Sequence, residues 1–330
     1  MMFCISASKA IVVSWKCIAA MLITMLSLSA NPSDNDIYDV VVDDTNPGNL
    51  IHYKSFPSDL VEPRPVDVWL PDDYEESGED YPVIYMHDGQ MMFNRKTSPY
   101  AGTWNWLKYW IFGGVFWDVD STMSRLIANK QIRPAIVVST WMREEQRGTE
   151  FMPQKAVTEE VEKLIQVRAK EISRETITSD NYLKFLVSEL KPFIDKTYRT
   201  RPGRDDTMIM GSSMGALIST YAISEYPLVF GAAACLSTEW DLGDGAVVEW
   251  YKSNWPTAGS HRLYFDNGTK SYDALFEPYQ KEMDKLLRER GYREGADWVT
   301  QRFEGATHSP KSWRERLHVP LIFLLGDKSR

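Results

Sequence analysis

Cysteine, histidine and surplus positive charge are all scarce in this chain. Its 330 residues include three cysteines, Cys4, Cys17 and Cys235, and five histidines. Only Cys235 lies beyond the first thirty residues, so the rest of the chain can close no internal disulfide and cannot be a disulfide-built scaffold. Cys235 sits in the apolar run FGAAACLS, which reads as a buried strand and makes it a small core residue. The formal net charge is −9, and no stretch packs lysine and arginine into a dense stripe. Nucleic acid is therefore not an expected partner. After residue 30 no apolar run approaches the ~20 residues of a membrane-spanning helix. Internal repeats and low-complexity tracts are missing as well, which excludes solenoids and linker-like chains.

The first thirty residues stand apart. Lys9 and Lys16 precede or flank apolar runs, and Cys17–Ala30 is a short hydrophobic core ending in small residues. This is the pattern of a cleaved secretory signal peptide, too short after Lys16 to span a bilayer. Removing it takes away two lysines and no acids, shifting the formal charge to −11. The expected location is periplasmic or secreted, with no stable membrane span after cleavage. The expected layout is a signal peptide over 1–30, an N-terminal entry segment over 31–60 that is polar through residue 49, and one large domain over 61–330.

Apolar runs without alternation recur along that domain: 66–71, 82–88, 134–140, 207–211, 231–237, 262–266 and 298–305. Between them lie helical spacings over 182–198, 216–226, 274–290 and 312–325. Continuous apolar strands separated by helices imply an α/β fold, a mostly parallel central sheet with helices on both faces. Sites in such sheets gather at the carboxyl ends of strands, here HDGQ, GSSMG, FDNG and EGATH. Two stretches break the alternation. Residues 98–118 carry Trp104, Trp106, Trp110 and Trp117, and 141–178 begins with Trp141. Both follow strand ends and are expected as insertions near the active site, although aromatic rings also serve simply as core.

Residues 207–215 read TMIMGSSMG. Gly211-x-Ser213-x-Gly215, with a strand before and a helix after, fits the nucleophile elbow of α/β-hydrolases. Ser213 is centred between the glycines and Ser212 is not. A serine hydroxyl needs a base, and the base needs an orienting acid. In this architecture the chain order is Ser, Asp or Glu, His. Of the histidines after Ser213, His261 precedes a strand and His318 lies within the last helix. His308 follows a strand, on a loop at its carboxyl end, and is the expected base. For the acid, Asp266 ends a strand and Asp273 lies farther along the loop. Asp273 is preferred because the acid must reach across to the histidine ring, with Asp266 left open and a plain helix cap as the bland alternative for Asp273. The oxyanion hole is expected from the backbone amides of Met214 and Gln90, the latter in the His87-Asp88-Gly89-Gln90 loop. No metal or cofactor is called for.

The segments VDVWLPDDY, YMHDGQMMF, MGSSMGAL, YFDNGTKSYDALFEPYQ and FEGATHSPKSWRERL, in this order, resemble the putative-esterase (esterase D-like) family of α/β-hydrolases. The resemblance covers roughly residues 60–325. It implies Ser213 as nucleophile, His308 as base, Asp273 as acid, and Met214 and Gln90 as oxyanion donors. Trp141 with Arg147 and Glu150 resembles a segment that recurs in envelope members, with no role that the residues themselves reveal. Two departures stand out: the tryptophan content of 98–118, and Thr307-His308-Ser309 where many members have Gly-His-Asp.

The expected function is ester hydrolysis on an acylated carbohydrate, as acetyl or feruloyl esters, because aromatic rings suit sugars and aromatic acyl groups. Trp104, Trp106, Trp141 and Arg147 are the expected substrate-binding residues. A siderophore ester is the competing substrate, since Arg95 and Lys96 lie just before the first insertion and Arg143 and Arg147 lie in the second. An acyltransferase and a non-catalytic glycan-binding protein are the remaining alternatives.

Overall fold

The computed structural model describes residues 40–43, 48–93, 116–259 and 261–326. Nine strands form one sheet: β1 (Val40–Asp43), β2 (Asn49–Phe56), β3 (Arg64–Leu70), β4 (Val83–Met86), β5 (Ile136–Thr140), β6 (Thr207–Ser212), β7 (Ala232–Leu236), β8 (Arg262–Gly268) and β9 (Trp298–Phe303). Their spatial order is β1-β2-β3-β5-β4-β6-β7-β8-β9. The first three strands run antiparallel to their neighbours, and the six from β5 to β9 run parallel. Every residue of β4, β5, β6 and β7 is buried, which explains why these segments read as unbroken apolar runs.

Successive strand residues face opposite sides. On one side Ile84, Met86, Met208, Met210, Ala234 and Leu236 join a core. Two helices cover it: α1 (Val119–Ala128), through Met123 and Leu126, and the closing helix His318–Leu325, through Leu321, Leu324 and Leu325. On the other side lie Tyr85, Ile209, Ala233 and Cys235. The Cys235 thiol is free and buried, and burial pushes its pKa well above the usual value. It is a core residue.

The other helices that matter to the site are α2 (Arg147–Phe151), α3 (Glu159–Gln166), α4 (Ser179–Phe185), α5 (Lys191–Thr197), α6 (Met214–Glu225), α7 (Ala246–Asn254), α8 (Asp273–Glu289), α9 (Pro310–Arg316) and α10 (His318–Leu325). α6 packs across β6 and β7 and is buried from Met214 to Ile223.

Several expectations need revision. The 31–60 segment is not merely a lead-in, because β1 and β2 belong to it and complete the sheet. The expected helix over 182–198 is three pieces, with a π-helical turn at Leu186–Leu190 between α4 and α5. Pro192 has no N–H to give the carbonyl four residues back, and the ladder widens just ahead of it. The single closing helix over 312–325 is α9 followed by α10. Pro320 likewise leaves the Arg316 carbonyl without its helical donor. The signal-peptide stretch, Trp104 and Trp106 lie outside the described residues. Among those described, no helix is long and apolar enough to cross a membrane.

Candidate active site

β6 ends at Ser212, and Ser213 turns the chain into α6 with φ 58° and ψ −123°. A non-glycine residue at positive φ is strained by about 1–3 kcal/mol. The glycines on either side make the turn possible. A Cβ on Gly211 would lie 2.5 Å from the Gly215 carbonyl carbon, and one on Gly215 would lie 3.2 Å from an Asp88 oxygen. The strand and helix therefore cross with no room for a side chain at Gly211 and little at Gly215. Ser212 remains in the strand, buried and paired in register with Leu236.

Three distant segments meet at Ser213. His308 Nε2 is 2.9 Å from Ser213 Oγ, and His308 Nδ1 is 2.6 Å from Asp273 Oδ1. Asp273 is the first residue of α8, not its cap, and its side chain is fully buried. The His308 ring is held edge-on by Phe276, centroids 5.4 Å apart, and Trp313, 5.0 Å. Tyr272 lies against its outer side at 6.2 Å. The other two downstream histidines are elsewhere. His261 bonds the Pro227 carbonyl, and His318 is exposed on α10.

Asp266 takes a different place. It accepts two bonds from the buried guanidinium of Arg316, from Nη2 at 2.8 Å and Nε at 3.1 Å. Arg316 Nη2 also donates to Ser237 Oγ at 2.8 Å, and Trp313 Nε1 donates to the same oxygen at 2.9 Å. With two donors aimed at its oxygen, the Ser237 hydroxyl gives its own hydrogen to Asp273 Oδ2, at 2.7 Å. The Gly268 N–H donates to that carboxylate oxygen too, at 2.6 Å. Burial pushes the Asp273 carboxyl up, but the bonds from His308, Ser237 and Gly268 outweigh it and hold the carboxyl below its ordinary range. For Asp266 the balance is reversed, and burial raises it despite Arg316. The two carboxylates thus divide the work: one faces the imidazole, the other anchors the arginine behind it.

The second half of the site is the 87–90 loop. Asp88 sits at φ 60° and Gln90 lies in a tight 3-10 turn, Gly89–Met91. The Gln90 side chain clamps the Met142 backbone. Its Nε2 donates to the Met142 carbonyl at 3.3 Å, and its Oε1 accepts from the Met142 N–H at 3.1 Å. Met214 is the first residue of α6, so its N–H has no carbonyl one turn earlier in the helix to bond. The closeness of Gly215 to His87 and Asp88 brings this loop to the start of α6.

Trp141 and Arg147 prove to be brackets for the loop. Arg147 forks onto Asp88, with Nε at 2.8 Å and Nη2 at 2.9 Å, and its guanidinium lies over Phe151. Trp141 donates its Nε1–H to Asp67 at 2.7 Å. Its ring lies against Gly89, where a Cβ would be 2.7 Å from Trp141 Cδ1. Glu150 forks onto Arg64 at 2.7 and 2.6 Å, both residues buried. Trp141 and Arg147, the expected substrate contacts, thus bond to Asp67 and Asp88 and pack against the loop that carries Gly89. His87 also stays inside. Its Nδ1 is 2.7 Å from the Tyr182 hydroxyl, and its Nε2 is buried without a partner. Burial, aided by Arg147 and opposed by Asp88, lowers its pKa to about 4.

Three residues of the site escaped the sequence reading: Ser237, Arg316 and Glu239. Glu239 Oε2 lies 3.0 Å from Ser213 Oγ. Ser237 could have been noticed as a polar residue closing an apolar strand beside the elbow strand. Arg316 carries no local signal.

A parallel sheet with a strained serine elbow and an imidazole and carboxylate delivered by later strand ends defines an α/β-hydrolase. The family model described as "putative esterase" matches residues 58–324, and the chain belongs to that family. Among solved structures it is similar to the enterobactin esterase FES from Shigella flexneri, with TM-score 0.59 and 18% identity, covering 87% of this chain and 60% of that one. It is also similar to a ferulic acid esterase from Anaeromyces mucronatus, with TM-score 0.55 and 17% identity, covering 86% and 89%. Among curated proteins it resembles the uncharacterized protein YbbA of Bacillus subtilis, 25% identical over 153 residues. That match covers 44% of this chain and spans about 60% of the relative's length. The structural likenesses are likenesses of fold.

Proposed function

We propose that this chain is an exported serine carboxylic-ester hydrolase. The observation that carries the reading is the continuous Ser213–His308–Asp273 chain, at 2.9 and 2.6 Å, behind a serine held at positive φ. Ser213 Oγ attacks the ester carbonyl while His308 Nε2 takes its proton. Asp273 fixes the ring with Nδ1–H facing it and steadies the imidazolium. The Met214 and Gln90 amides stabilise the tetrahedral oxyanion. His308 protonates the departing alcohol, leaving an acyl group on Ser213; it then takes a proton from water as the water oxygen adds to the acyl carbon, and returns that proton to Ser213 Oγ as the acid leaves. Export rests on the signal-like residues 1–30, and the location is periplasmic or secreted.

Acylated carbohydrate, as acetyl or feruloyl ester, is the substrate we favour. Similarity to a ferulic acid esterase supports it. Similarity to an enterobactin esterase supports the siderophore alternative. That alternative looked to Arg147 as one of its basic contacts, and Arg147 is tied to Asp88. Ser213→Ala is expected to lower p-nitrophenyl acetate turnover by at least about 10³-fold. Ser212→Ala should retain turnover, and the opposite pattern would reassign the nucleophile. Acetyl-xylan, methyl ferulate and ferric enterobactin, assayed side by side, separate the substrates.

A further inference from the structure

β7 ends at Leu236, in register with Ser212, and the chain then leaves beside the elbow. The Glu239 N–H donates to the Ser213 carbonyl at 3.4 Å, and the Glu239 carboxylate lies 3.0 Å from the Ser213 hydroxyl. That hydroxyl has one hydrogen and two acceptors, His308 Nε2 at 2.9 Å and Glu239 Oε2. When the hydrogen points to Glu239, the imidazole has no serine proton to take. The neighbouring acids are engaged differently: Asp241 pairs with Arg168, which feels the Glu239 charge only through space, and Asp244 accepts from the Tyr279 hydroxyl. Among the described residues, Ser213 is the hydrogen-bond partner of the Glu239 carboxylate, and Glu239 is only partly buried. The histidine side of the serine is apolar. Tyr272, 57% exposed, and Leu275, 54% exposed, stand at the start of α8, with Tyr272 against the His308 ring.

We propose that Glu239 is a specificity-determining residue, whose carboxylate accepts a hydrogen bond from an O–H or N–H group next to the scissile ester and keeps anionic groups out of that position. A donor on the substrate satisfies the carboxylate and turns the serine hydrogen toward His308. An anion there meets a like charge in a half-desolvated site, where repulsion is strong. A polyol ester with a neighbouring free hydroxyl, its ring stacked on Tyr272, fits both walls. The inference rests on the proposed role of Ser213.

Butyrate esters of ethylene glycol, choline and glycolate share one acyl group and differ in what lies beside the ester. With the unsubstituted protein, kcat/KM for the glycol and choline esters should exceed that for the glycolate ester by at least about tenfold. Glu239→Gln and Glu239→Ala should bring the glycolate ester to within about threefold of the glycol ester. No preference in the unsubstituted protein, or a ratio that neither variant changes, overturns the assignment of Glu239. Fluorophosphonate labelling separates this from failure of the esterase reading. A protein that labels and turns over but shows no charge selectivity loses only the Glu239 inference, whereas one that neither labels nor turns over loses both.

Discussion

Two brackets stand behind the serine, and they handle different things. Behind the acid, Arg316 joins Asp266 to Ser237, and Ser237 hands its hydrogen to Asp273. Behind the amide loop, Arg147 forks onto Asp88 and Arg64 onto Glu150. Both are arginine–carboxylate forks, the geometry that fixes direction as well as distance. The first ends on a side chain that faces the histidine, so it sets charge and tautomer. The second ends on the Asp88 and Glu150 carboxylates, and through Asp88 it holds the loop that carries the Gln90 amide. Arg316 is buried, while the Arg147 side chain keeps 23% of its exposure. The proton-handling half should therefore be costly to disturb in stability, and the amide half costly chiefly in rate.

The largest effect should come from Arg316→Met, which leaves Asp266 buried and uncompensated. Breaking such a pair costs about 3–5 kcal/mol, measurable by urea unfolding, and adding Asp266→Asn should recover part of it. A loss below about 1 kcal/mol would mean that this bracket behaves like a surface pair.

His87 gives the next effect, in an acid window. Its pKa in the folded protein, about 4, lies below the ordinary 6.5. The unfolded chain thus takes up the proton first, and stability is full above pH 6.5 and falls as pH drops toward 4. The loss is about 3 kcal/mol. Denaturation series at pH 7, 5.5 and 4 should show it, and His87→Gln should flatten the slope by close to one proton. The Asp273 carboxyl, held low, has the same sign. It stabilises above the ordinary carboxylate range and loses that contribution only at more acidic pH.

The smallest effect belongs to Arg147→Lys. A point charge keeps the attraction to Asp88 but not the fork. The expected outcome is a fall in kcat of about tenfold, with stability changed by less than about 1 kcal/mol. Equal rates would show that the loop holds its direction without the fork and would erase the contrast between the brackets.

The parallel core of the sheet was legible because β4 to β7 are buried on both faces, and burial on both faces writes itself as uninterrupted apolar sequence. β2, whose burial alternates irregularly, leaves no such trace in the sequence. α1 and α7 were missed for a similar reason, since short helices between expected strands compete poorly with louder neighbours. The bonds of Trp141 and Arg147 to Asp67 and Asp88 carry no sequence signal, because a tryptophan or arginine near a strand end looks the same whatever it meets.

Local chemistry decided the rest of what could be read in advance. Gly211-x-Ser213-x-Gly215 carries its own steric reason, and a histidine or aspartate after a strand end is placed by the fold's direction alone. Choosing Asp273 over Asp266, directing the Ser237 hydrogen, and setting Glu239 against the serine depend on contacts between residues 26 to 79 positions apart. Such pairs leave no spacing in the chain, because tertiary packing, not local backbone geometry, sets the distance between them.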